Sequence, residues 1–370
     1  MPYTFVMTGG GTGGHVFPAL AVARVLRERG NGLLFIGTRE GMESRLVPEA
    51  GFEIEFIRSG GLKRVGLRRQ IKTAALLPAS IGTAWQLLKR FRPGAVFSTG
   101  GYVAGPVMAA ALICGIPLIV MEPNALPGLA NRRVAGRVYR ALVGFEATRA
   151  WFPRNKCEVT GLPVRPEFFH IPPKRDGLFT VLITGGSRGA RTLNQASLES
   201  WRLFRESGRP VRIVHQTGAT EYEPLAKAFS AAGVEGEVVP FIRDMPEAFM
   251  NADIVVGRAG AGAVSEIAAA AMASVLVPLP FAADDHQRRN AEVLVNAAAA
   301  RMVPDAEMNG TRLFREIESL RENRGQLDAM RARVRQFAKP GAAERAAEIL
   351  EEASIAKKSL RESIKSRFAR

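Results

Sequence analysis

Short runs of apolar residues alternate with longer stretches of helical periodicity from the first residues of the chain. The apolar runs at 3–7, 33–36, 52–57, 95–98, 117–121 and 141–143 predict buried strands. Continuous apolar strands that alternate with helices are typical of a parallel sheet covered on both faces. The first half of the chain is therefore predicted to be an α/β domain.

The same alternation pauses and then begins again in the second half of the chain. A proline-rich segment occupies 159–173, and further strands are predicted at 179–183, 212–215, 237–241, 253–256 and 275–277. A helical, charge-rich segment follows Gly341. We therefore predict two Rossmann-like, doubly wound parallel-sheet domains facing each other across a cleft, one formed by 1–160 with 342–370 and the other by 161–341.

One uncharged stretch, 103–121, approaches the ~20 residues that a membrane-spanning helix needs. Gly105-Pro106 and Gly115-Ile116-Pro117 interrupt it, which predicts a buried helix, a tight turn and a strand instead. The N-terminus has neither a basic region nor a long apolar core, so we predict no cleaved signal peptide. The two cysteines, Cys114 and Cys157, lack paired or metal-ligand spacing, which favours a reducing, cytoplasmic compartment.

The formal net charge of +16 predicts an anionic partner, but its sign does not choose among nucleic acid, acidic lipid and a phosphorylated substrate. Within 62–92 there is no acidic residue, and the eight basic ones are Lys63, Arg64, Arg68, Arg69, Lys72, Lys89, Arg90 and Arg92. Apolar residues such as Trp85 are interleaved with them, which favours contact with an anionic bilayer over an ordinary solvated helix. Nucleic-acid binding is disfavoured because aromatic stacking residues are sparse and no nucleic-acid motif is present.

The segment Gly9-Gly10-Gly11-Thr12-Gly13-Gly14 formally contains the G-x-G-x-x-G pattern of dinucleotide-binding folds. A nicotinamide site also needs an acidic residue at the end of the second strand, where Gly37-Thr38 stands and Glu40 comes too late. A dehydrogenase is therefore a minor alternative. His15 lies at the predicted start of the next helix, whose N-terminus disfavours the imidazolium and leaves a neutral ring able to accept a proton. A capping or packing role for His15 remains open.

Similar turns follow other predicted strands in both halves. They are Gly100-Gly101-Tyr102-Val103-Ala104-Gly105-Pro106, Gly185-Gly186-Ser187-Arg188-Gly189-Ala190, Gly260-Ala261-Gly262-Ala263-Val264-Ser265-Glu266-Ile267 and Asp284-Asp285-His286-Gln287-Arg288-Arg289-Asn290. The 185–190 segment offers N–H donors and the Ser187 hydroxyl to phosphates, and Glu266 suits the two hydroxyls of a ribose. Close packing, a tight turn and a complemented helix dipole are the structural alternatives. Asp284, Asp285 and His286 have no second ligand cluster, so we predict no metal site.

Taken in order, these motifs resemble those of the MurG family, which transfers N-acetylglucosamine from UDP to undecaprenyl-pyrophosphoryl-N-acetylmuramoyl-pentapeptide. The most specific motif is Gly10-Gly11-Thr12-Gly13-Gly14-His15-Val16-Phe17-Pro18, supported by Gly100-Gly101-Tyr102, Pro163-Val164-Arg165, Gly185-Gly186-Ser187, Ser265-Glu266-Ile267, His286-Gln287 and Asn290-Ala291. The resemblance covers nearly the whole chain. It implies the GT-B fold and an inverting glycosyltransferase that needs neither a metal nor a cofactor.

The resemblance also implies roles for individual residues. His15 would be the general base or an acceptor-site residue. UDP-N-acetylglucosamine would be held by Thr12, Gly13, Gly14, Asn124, Arg165, Ser187, Ile242, Glu266, His286 and Gln287, with the Ile242 backbone at uracil and Glu266 at the ribose. The acceptor pyrophosphate would contact Gly11, Gly13, Gly14, Gly100, Gly101 and Tyr102. The location implied is the cytoplasmic face of the bacterial inner membrane, as a peripheral protein with cell-wall synthesis and division proteins as partners.

Several positions depart from the pattern of the family. Arg188 stands where Gln is usual, Leu162 replaces Asn, Ala263 replaces a hydroxyl residue, and Met121 and Pro123 flank Glu122 in place of His and Gln. These departures bear on individual contacts with the substrates and leave the reaction class unchanged.

Other functions fit parts of the same pattern. A GT-B transferase could use a different lipid acceptor such as diacylglycerol, and a UDP-N-acetylglucosamine 2-epimerase would act without any acceptor. A non-catalytic basic module would bind membranes or nucleic acid, with an affinity that falls steeply as salt rises.

Overall fold

The computed structural model describes residues 2–11, 13–59, 67–172, 174 and 177–368, with the side chains of 67–75, 283 and 360–368 left out. Contacts divide the chain into two compact units. The first unit comprises Met1–Pro163 and Gly341–Arg370, and the second comprises Val164–Pro340. Each unit contains one parallel sheet with helices between its strands.

The sheet of the first unit has seven strands in the order β3-β2-β1-β4-β5-β6-β7. The strands are β1 (Thr4–Thr8), β2 (Gly32–Gly37), β3 (Ile54–Phe56), β4 (Ala95–Ser98), β5 (Leu118–Glu122), β6 (Arg140–Val143) and β7 (Cys157–Glu158). The helices are α1 (Gly13–Glu28), α2 (Glu43–Glu49), α3 (Leu67–Phe91), α4 (Ala104–Ile113) and α5 (Leu129–Val134), with α13 (Ala342–Phe368) from the end of the chain. The strand order reverses between β1 and β4, so the loops that follow these two strands lie at a topological switch point.

The sheet of the second unit has six strands in the order β10-β9-β8-β11-β12-β13. The strands are β8 (Phe179–Thr184), β9 (Val211–Gln216), β10 (Glu235–Val239), β11 (Ile254–Gly257), β12 (Ser274–Leu276) and β13 (Arg301–Met302). The helices are α6 (Arg191–Glu206), α7 (Tyr222–Ala232), α8 (Met245–Met250), α9 (Ala261–Ala269), α10 (His286–Asn296), α11 (Gly310–Glu322) and α12 (Arg324–Val334). Here the order reverses between β8 and β11, which makes the loops after these strands equivalent to those after β1 and β4.

The continuous apolar runs form the central strands because both faces of each sheet are covered. Phe5, Val6 and Met7 of β1 and Val181, Leu182 and Ile183 of β8 are fully buried. Burial of a large apolar side chain contributes about 1.5–3 kcal/mol relative to its exposure, so these runs strongly favour the interior. The prediction of parallel α/β architecture in both halves is confirmed.

The C-terminal helix α13 packs against the other elements of the first unit. Arg345 donates to both carboxylate oxygens of Glu158 at the end of β7, at 2.7 and 3.1 Å. Glu351 accepts hydrogen bonds from Arg29 and Asn31, each at 2.9 Å. Polar contacts, together with buried apolar residues such as Leu350, therefore hold α13 against segments that are distant from it in sequence.

Some predicted element bounds differ from the structure. Strands β7 and β13 were absent from the predictions because each has only two residues, too few for a hydrophobic pattern. The strand predicted at 237–241 is Glu235–Val239, where the residues Glu235, Gly236 and Glu237 are exposed at the edge of the sheet. The strand predicted at 52–57 is shortened to Ile54–Phe56.

The uncharged stretch 103–121 contains helix α4, a turn at Gly115 and strand β5, as predicted. Gly115 has φ +61°, a left-handed conformation that favours glycine. None of the described helices combines the length and apolar character needed to cross a membrane.

Candidate active site

His15 lies in the first turn of α1 and is held by a reciprocal pair of hydrogen bonds to the loop after β4. Its Nδ1 atom lies 2.7 Å from the carbonyl oxygen of Thr99, and the Thr99 hydroxyl donates to the His15 carbonyl at 2.7 Å. Because a carbonyl oxygen only accepts, Nδ1 carries the hydrogen. In the neutral ring, Nε2 therefore holds the lone pair that can accept a proton.

The glycine turn at 9–14, here called the first loop, packs directly against the turn at 100–102. A side chain at Gly101 would place its Cβ 2.5 Å from the carbonyl oxygen of Gly10. A side chain at Gly11 would place its Cβ 2.7 Å from the ring of Tyr102. The structure thus brings together Gly11, Gly100, Gly101, Tyr102 and His15, which sequence reasoning assigned to the acceptor side.

The buried carboxylate of Glu43 supports the first loop from behind, and sequence reasoning missed it. Glu43 is the first residue of α2, with 1% of its surface exposed. Its Oε2 accepts from the Gly11 N–H at 3.0 Å, and its Oε1 accepts from the Thr38 N–H at 3.0 Å and hydroxyl at 2.8 Å. The Gly11 N–H therefore points at a carboxylate, and any contact of Gly11 with a pyrophosphate would use another atom.

Three residues at the end of the first loop were also predicted to contact the substrates, namely Thr12, Gly13 and Gly14. Gly13 and Gly14 form the start of α1, where unpaired N–H groups attract anions. Thr12 lies outside the described residues. The contacts predicted for these residues with UDP-N-acetylglucosamine and pyrophosphate stay predictions.

Asn124 lies in the loop after β5, which is organised by Glu122. The Glu122 carboxylate accepts from the N–H and side-chain amide of Asn124 at 3.0 and 3.3 Å. It also accepts from the Gly128 N–H and the Asn131 side chain, each at 2.9 Å. Burial raises the pKa of Glu122 above its usual value, and these hydrogen bonds oppose the rise. Met121 and Pro123 are buried beside it, so these two departures from the family pattern lie in the interior.

The turn at 185–190, here called the second loop, joins β8 to α6. Ser187 and Arg188 are exposed, and the N-cap residue of the 16-residue helix α6 is Ala190, which makes no side-chain cap hydrogen bond. Gly189 has φ +72°, and a Cβ there would lie 1.8 Å from the Thr217 carbonyl oxygen. The loop therefore offers a helix N-terminus and an exposed hydroxyl to an anion, at the switch point of the second sheet.

Gln216, the last residue of β9, links the second loop to Ile242. Its side-chain Nε2 donates to the Gly186 carbonyl oxygen at 2.8 Å, and its Oε1 accepts from the Ile242 N–H at 2.8 Å. Only 1% of its surface is exposed. Sequence reasoning missed Gln216, although a polar residue at the carboxyl end of a buried strand is a detectable signal.

Glu266 and Arg165 lie close together in the second unit. Burial raises the pKa of Glu266 to about 7, and the positive charge of Arg165 opposes part of that rise. Glu266 lies within the nine-residue helix α9, whose N-cap residue is Gly260. The pair thus combines a carboxylate that takes up a proton near neutral pH with an exposed guanidinium.

His286 and Gln287 begin α10 after a strained turn. Asp284 and Asp285 have φ +53° and +54°, a left-handed conformation that costs non-glycine residues about 1–3 kcal/mol each. The Gln287 side-chain oxygen accepts from the Leu279 N–H at 3.0 Å, which ties the turn to the loop after β12. Among the described residues, no group of three or more His, Cys, Asp or Glu side chains could hold a metal ion.

The other departures from the family pattern lie in different environments. Leu162 is buried in the first unit, with 3% of its surface exposed, whereas Ala263 is half-buried in the first turn of α9. Arg188 is exposed on the second loop. A cationic side chain is therefore present beside the N-terminus of α6.

The basic segment 62–92 is described only in its second part. Lys63 and Arg64 lie outside the described residues, as do the side chains of Arg68, Arg69 and Lys72. On α3, Leu77 and Trp85 are 40% and 41% exposed, and the Lys89 ammonium lies 5.4 Å from the centre of the Trp85 ring. Arg90 forms an ion pair with Glu55 at 2.5 Å.

Comparisons with known proteins match both halves of the chain. The glycosyltransferase family 28 N-terminal domain matches residues 5–143, and the glycosyltransferase family 28 C-terminal domain matches residues 180–352. A relative from Solibacter usitatus (strain Ellin6076) is 56% identical over 350 residues, which cover 94% of this chain and 96% of the relative. It is named UDP-N-acetylglucosamine–N-acetylmuramyl-(pentapeptide) pyrophosphoryl-undecaprenol N-acetylglucosamine transferase. A relative of the same name from Nitrosococcus oceani is 42% identical and covers 94% of this chain and 98% of its own.

Solved structures agree with the sequence relatives. Acinetobacter baumannii MurG superposes with a TM-score of 0.80 at 33% identity, covering 95% of this chain and 100% of its own. The UDP-GlcNAc 2-epimerase from Neisseria meningitidis has a TM-score of 0.64, with coverage of 95% and 100%, but its 15% identity indicates a shared fold alone. The chain therefore has the GT-B fold and is a member of the MurG family within glycosyltransferase family 28.

Proposed function

We propose that this chain transfers N-acetylglucosamine from UDP-N-acetylglucosamine to the 4-hydroxyl of undecaprenyl-pyrophosphoryl-N-acetylmuramoyl-pentapeptide. The product is lipid II, so the reaction serves peptidoglycan synthesis. The observation that carries this proposal is the 56% identity, over 94% of the chain, with a relative whose name gives the same donor group and acceptor.

The reaction is a direct displacement at the anomeric carbon. The acceptor oxygen forms a bond to this carbon on the face opposite UDP, and the bond to the diphosphate oxygen breaks, with its electron pair leaving on UDP. The configuration inverts. His15 removes the hydroxyl proton through Nε2, since the contact with Thr99 holds the hydrogen on Nδ1. A positioned base of this kind contributes about 10²- to 10⁴-fold to the rate.

The second unit binds the donor nucleotide. The ribose hydroxyls donate to the Glu266 carboxylate, which a bound nucleotide favours over the protonated form. The diphosphate lies at Ser187 and the N-terminus of α6, close to the guanidinium of Arg165. These fixed donors stabilise the negative charge that develops on the leaving diphosphate. His286 and Gln287 contact the sugar, and the contact of Asn124 with the sugar stays a prediction.

The first unit binds the lipid acceptor. The N-terminus of α1, with Gly13 and Gly14, and the turn at Gly100, Gly101 and Tyr102 contact the pyrophosphate. Exposed Leu77 and Trp85, beside Lys89, contact an anionic membrane surface on which the acceptor is presented. The protein thus acts as a peripheral protein at the cytoplasmic face of the inner membrane. Sedimentation with anionic but not zwitterionic vesicles tests this membrane contact.

One assay with four arms tests the proposed function. The full-length protein is incubated with UDP-N-acetylglucosamine and the lipid-linked muramoyl-pentapeptide, and release of UDP is measured with and without EDTA. The proposal predicts UDP release that depends on this acceptor and is unchanged by EDTA. UDP release with diacylglycerol instead would indicate a different lipid transferase. Conversion of the donor without acceptor would indicate an epimerase, and no turnover in any arm would indicate a binding module.

A further inference from the structure

Gln216 occupies a position that touches both ends of the proposed nucleotide site. Gln216 is the last residue of β9, and its side-chain amide is buried between the second loop and the segment after β10. Besides the bonds to Gly186 and Ile242, its Nε2 lies 3.3 Å from the Thr184 hydroxyl. Gly186 is 30 residues away in sequence and Ile242 is 26 residues away, on opposite sides of Gln216.

The partners of Gln216 fix the orientation of its amide. A carbonyl oxygen such as that of Gly186 can only accept, so the NH₂ group must face it. The Ile242 N–H can only donate, so the side-chain oxygen must face that group. In the reversed orientation, the side-chain NH₂ would face the Ile242 N–H, and the side-chain oxygen would face the Gly186 carbonyl oxygen. One buried side chain therefore holds two separate peptide groups in defined directions.

The direction of each peptide group determines what it presents on its other side. In a trans peptide the C=O and the N–H point in opposite directions, and every described peptide bond is trans. Because the Gly186 carbonyl faces Gln216, the Ser187 N–H in the same peptide points away from it. Because the Ile242 N–H faces Gln216, the Phe241 carbonyl likewise points away. Phe241 and Ser187 are both exposed.

These two outward groups match a uridine nucleotide. An N–H donor at Ser187 suits a phosphate oxygen, and a carbonyl acceptor at Phe241 suits the N3–H of uracil. Cytosine has an acceptor at N3, so the same carbonyl would repel it. The N–H of Ile242 is directed at Gln216, which leaves the carbonyl side of this segment to select the base.

We propose that Gln216 is a positioning residue that fixes the diphosphate donor at Ser187 and the base acceptor at Phe241 through one buried amide. This proposal rests on the proposed binding of UDP in the second unit. It adds the source of the preference for uracil over cytosine. It also predicts that the base and the diphosphate are bound by a coupled pair of peptide groups rather than by independent loops.

The test compares UDP, CDP and uridine binding to the full-length Gln216→Met protein by calorimetry. Methionine has a similar length but can neither donate to Gly186 nor accept from Ile242. Loss of both bonds is expected to weaken UDP binding roughly 30-fold and to lower the UDP-to-CDP affinity ratio roughly tenfold, since the 241–242 peptide can then rotate. The matched control is Gln195→Met, at an exposed amide on α6 that donates to Glu199 at 2.9 Å, and this variant should bind like wild type.

A second variant separates the two halves of the proposal. Gln216→Glu keeps an acceptor for the Ile242 N–H but removes the donor to the Gly186 carbonyl. UDP binding should weaken roughly tenfold, while uridine binding and the preference for uracil should stay within about twofold of wild type. This variant also decides the question if Gln216→Met does not fold.

A measurement on the wild-type protein needs no variant to fold. The Ile242 amide should exchange slowly with solvent before UDP is added, because Gln216 already binds it, whereas the Ser187 amide should become protected only with UDP. An unprotected Ile242 amide in the free protein would overturn the proposal. So would equal loss of UDP, CDP and uridine binding in the variants, which would indicate a merely structural role. A wild-type protein that binds no UDP would instead contradict the proposed function.

Discussion

The first and second loops occupy equivalent positions in their sheets, yet the side chains packed behind them differ in charge. Behind the first loop, the carboxylate of Glu43 accepts a backbone N–H from Gly11. Behind the second loop, the neutral amide of Gln216 donates to the backbone carbonyl of Gly186. Glu43 thus orients a backbone N–H of the first loop toward the interior, whereas Gln216 orients a backbone carbonyl of the second loop toward the interior.

This difference affects how well each loop binds an anion. The Glu43 carboxylate behind the first loop accepts one of the N–H groups of the loop. It also places a negative charge there, on a side chain with 1% of its surface exposed. The neutral support of the second loop leaves its outward N–H groups and the N-terminus of α6 to face a diphosphate. The same strand–loop–helix corner is therefore suited to a nucleotide diphosphate in the second unit and to holding His15 in the first.

The largest expected effect separates the loops by function. His15→Ala should lower kcat by about 10²- to 10⁴-fold, because the proposed base is lost, and leave the Kd for UDP-N-acetylglucosamine unchanged. Steady-state kinetics and calorimetry measure the two quantities. His170→Ala, at an exposed histidine in the second unit, is the matched control and should be fully active. A fully active His15→Ala enzyme would remove His15 from the mechanism.

The next effect concerns the backbone of the second loop. Gly189→Ala should lower the free energy of unfolding by about 2 kcal/mol, because its Cβ would overlap the Thr217 carbonyl and φ is +72°. Gly186 also has a positive φ, of +82°, but a Cβ added at this position, as in Gly186→Ala, would have no atom within 4 Å. This substitution should cost only about 1 kcal/mol. Chemical denaturation of both variants checks the order, and equal costs would refute the argument from close approach.

The pH dependence of donor binding tests the carboxylate of the second unit. With the pKa of Glu266 at about 7, most of its carboxyl is protonated at pH 6 and ionised at pH 8. Ribose hydroxyls favour the ionised acceptor, so the affinity for UDP-N-acetylglucosamine should rise roughly tenfold from pH 6 to pH 8. Calorimetric titration across this range measures the change. Glu266→Gln should bind more weakly and without this dependence, whereas a flat wild-type curve would argue against Glu266 at the ribose.

The smallest expected effect concerns the support of the first loop. In Glu43→Gln only one terminal atom can accept, so the loop loses a hydrogen bond from Gly11 or Thr38. We expect kcat with the lipid acceptor to fall about fivefold and the KM for the donor to stay unchanged. The control is Glu40→Gln, at an exposed neighbour in the same turn. A change in donor KM alone would contradict the assignment of this loop to the acceptor side.

Local patterns predicted the central strands but not the groups that support the loops. The apolar run at Ala95–Ser98 was predicted with its observed bounds, since a buried central strand is marked by its own residues. The contacts of Glu43 and Gln216 are harder to predict, because their partners lie 32 and 30 residues away. The position of Gln216 at the carboxyl end of a buried strand is the one local signal. The first acid after the second strand is Glu40, whereas the acid that contacts the first loop is Glu43, three positions later on α2. Tertiary contacts between distant loops therefore decide the details of the site.

The two loops can be compared directly by hydrogen exchange of the full-length protein with saturating UDP and no acceptor. The account predicts slower exchange in the second loop, at 185–190, and around Glu266, with no change in the first loop. Slower exchange in the first loop, with the second loop unchanged, would contradict the assignment of the nucleotide to the second unit.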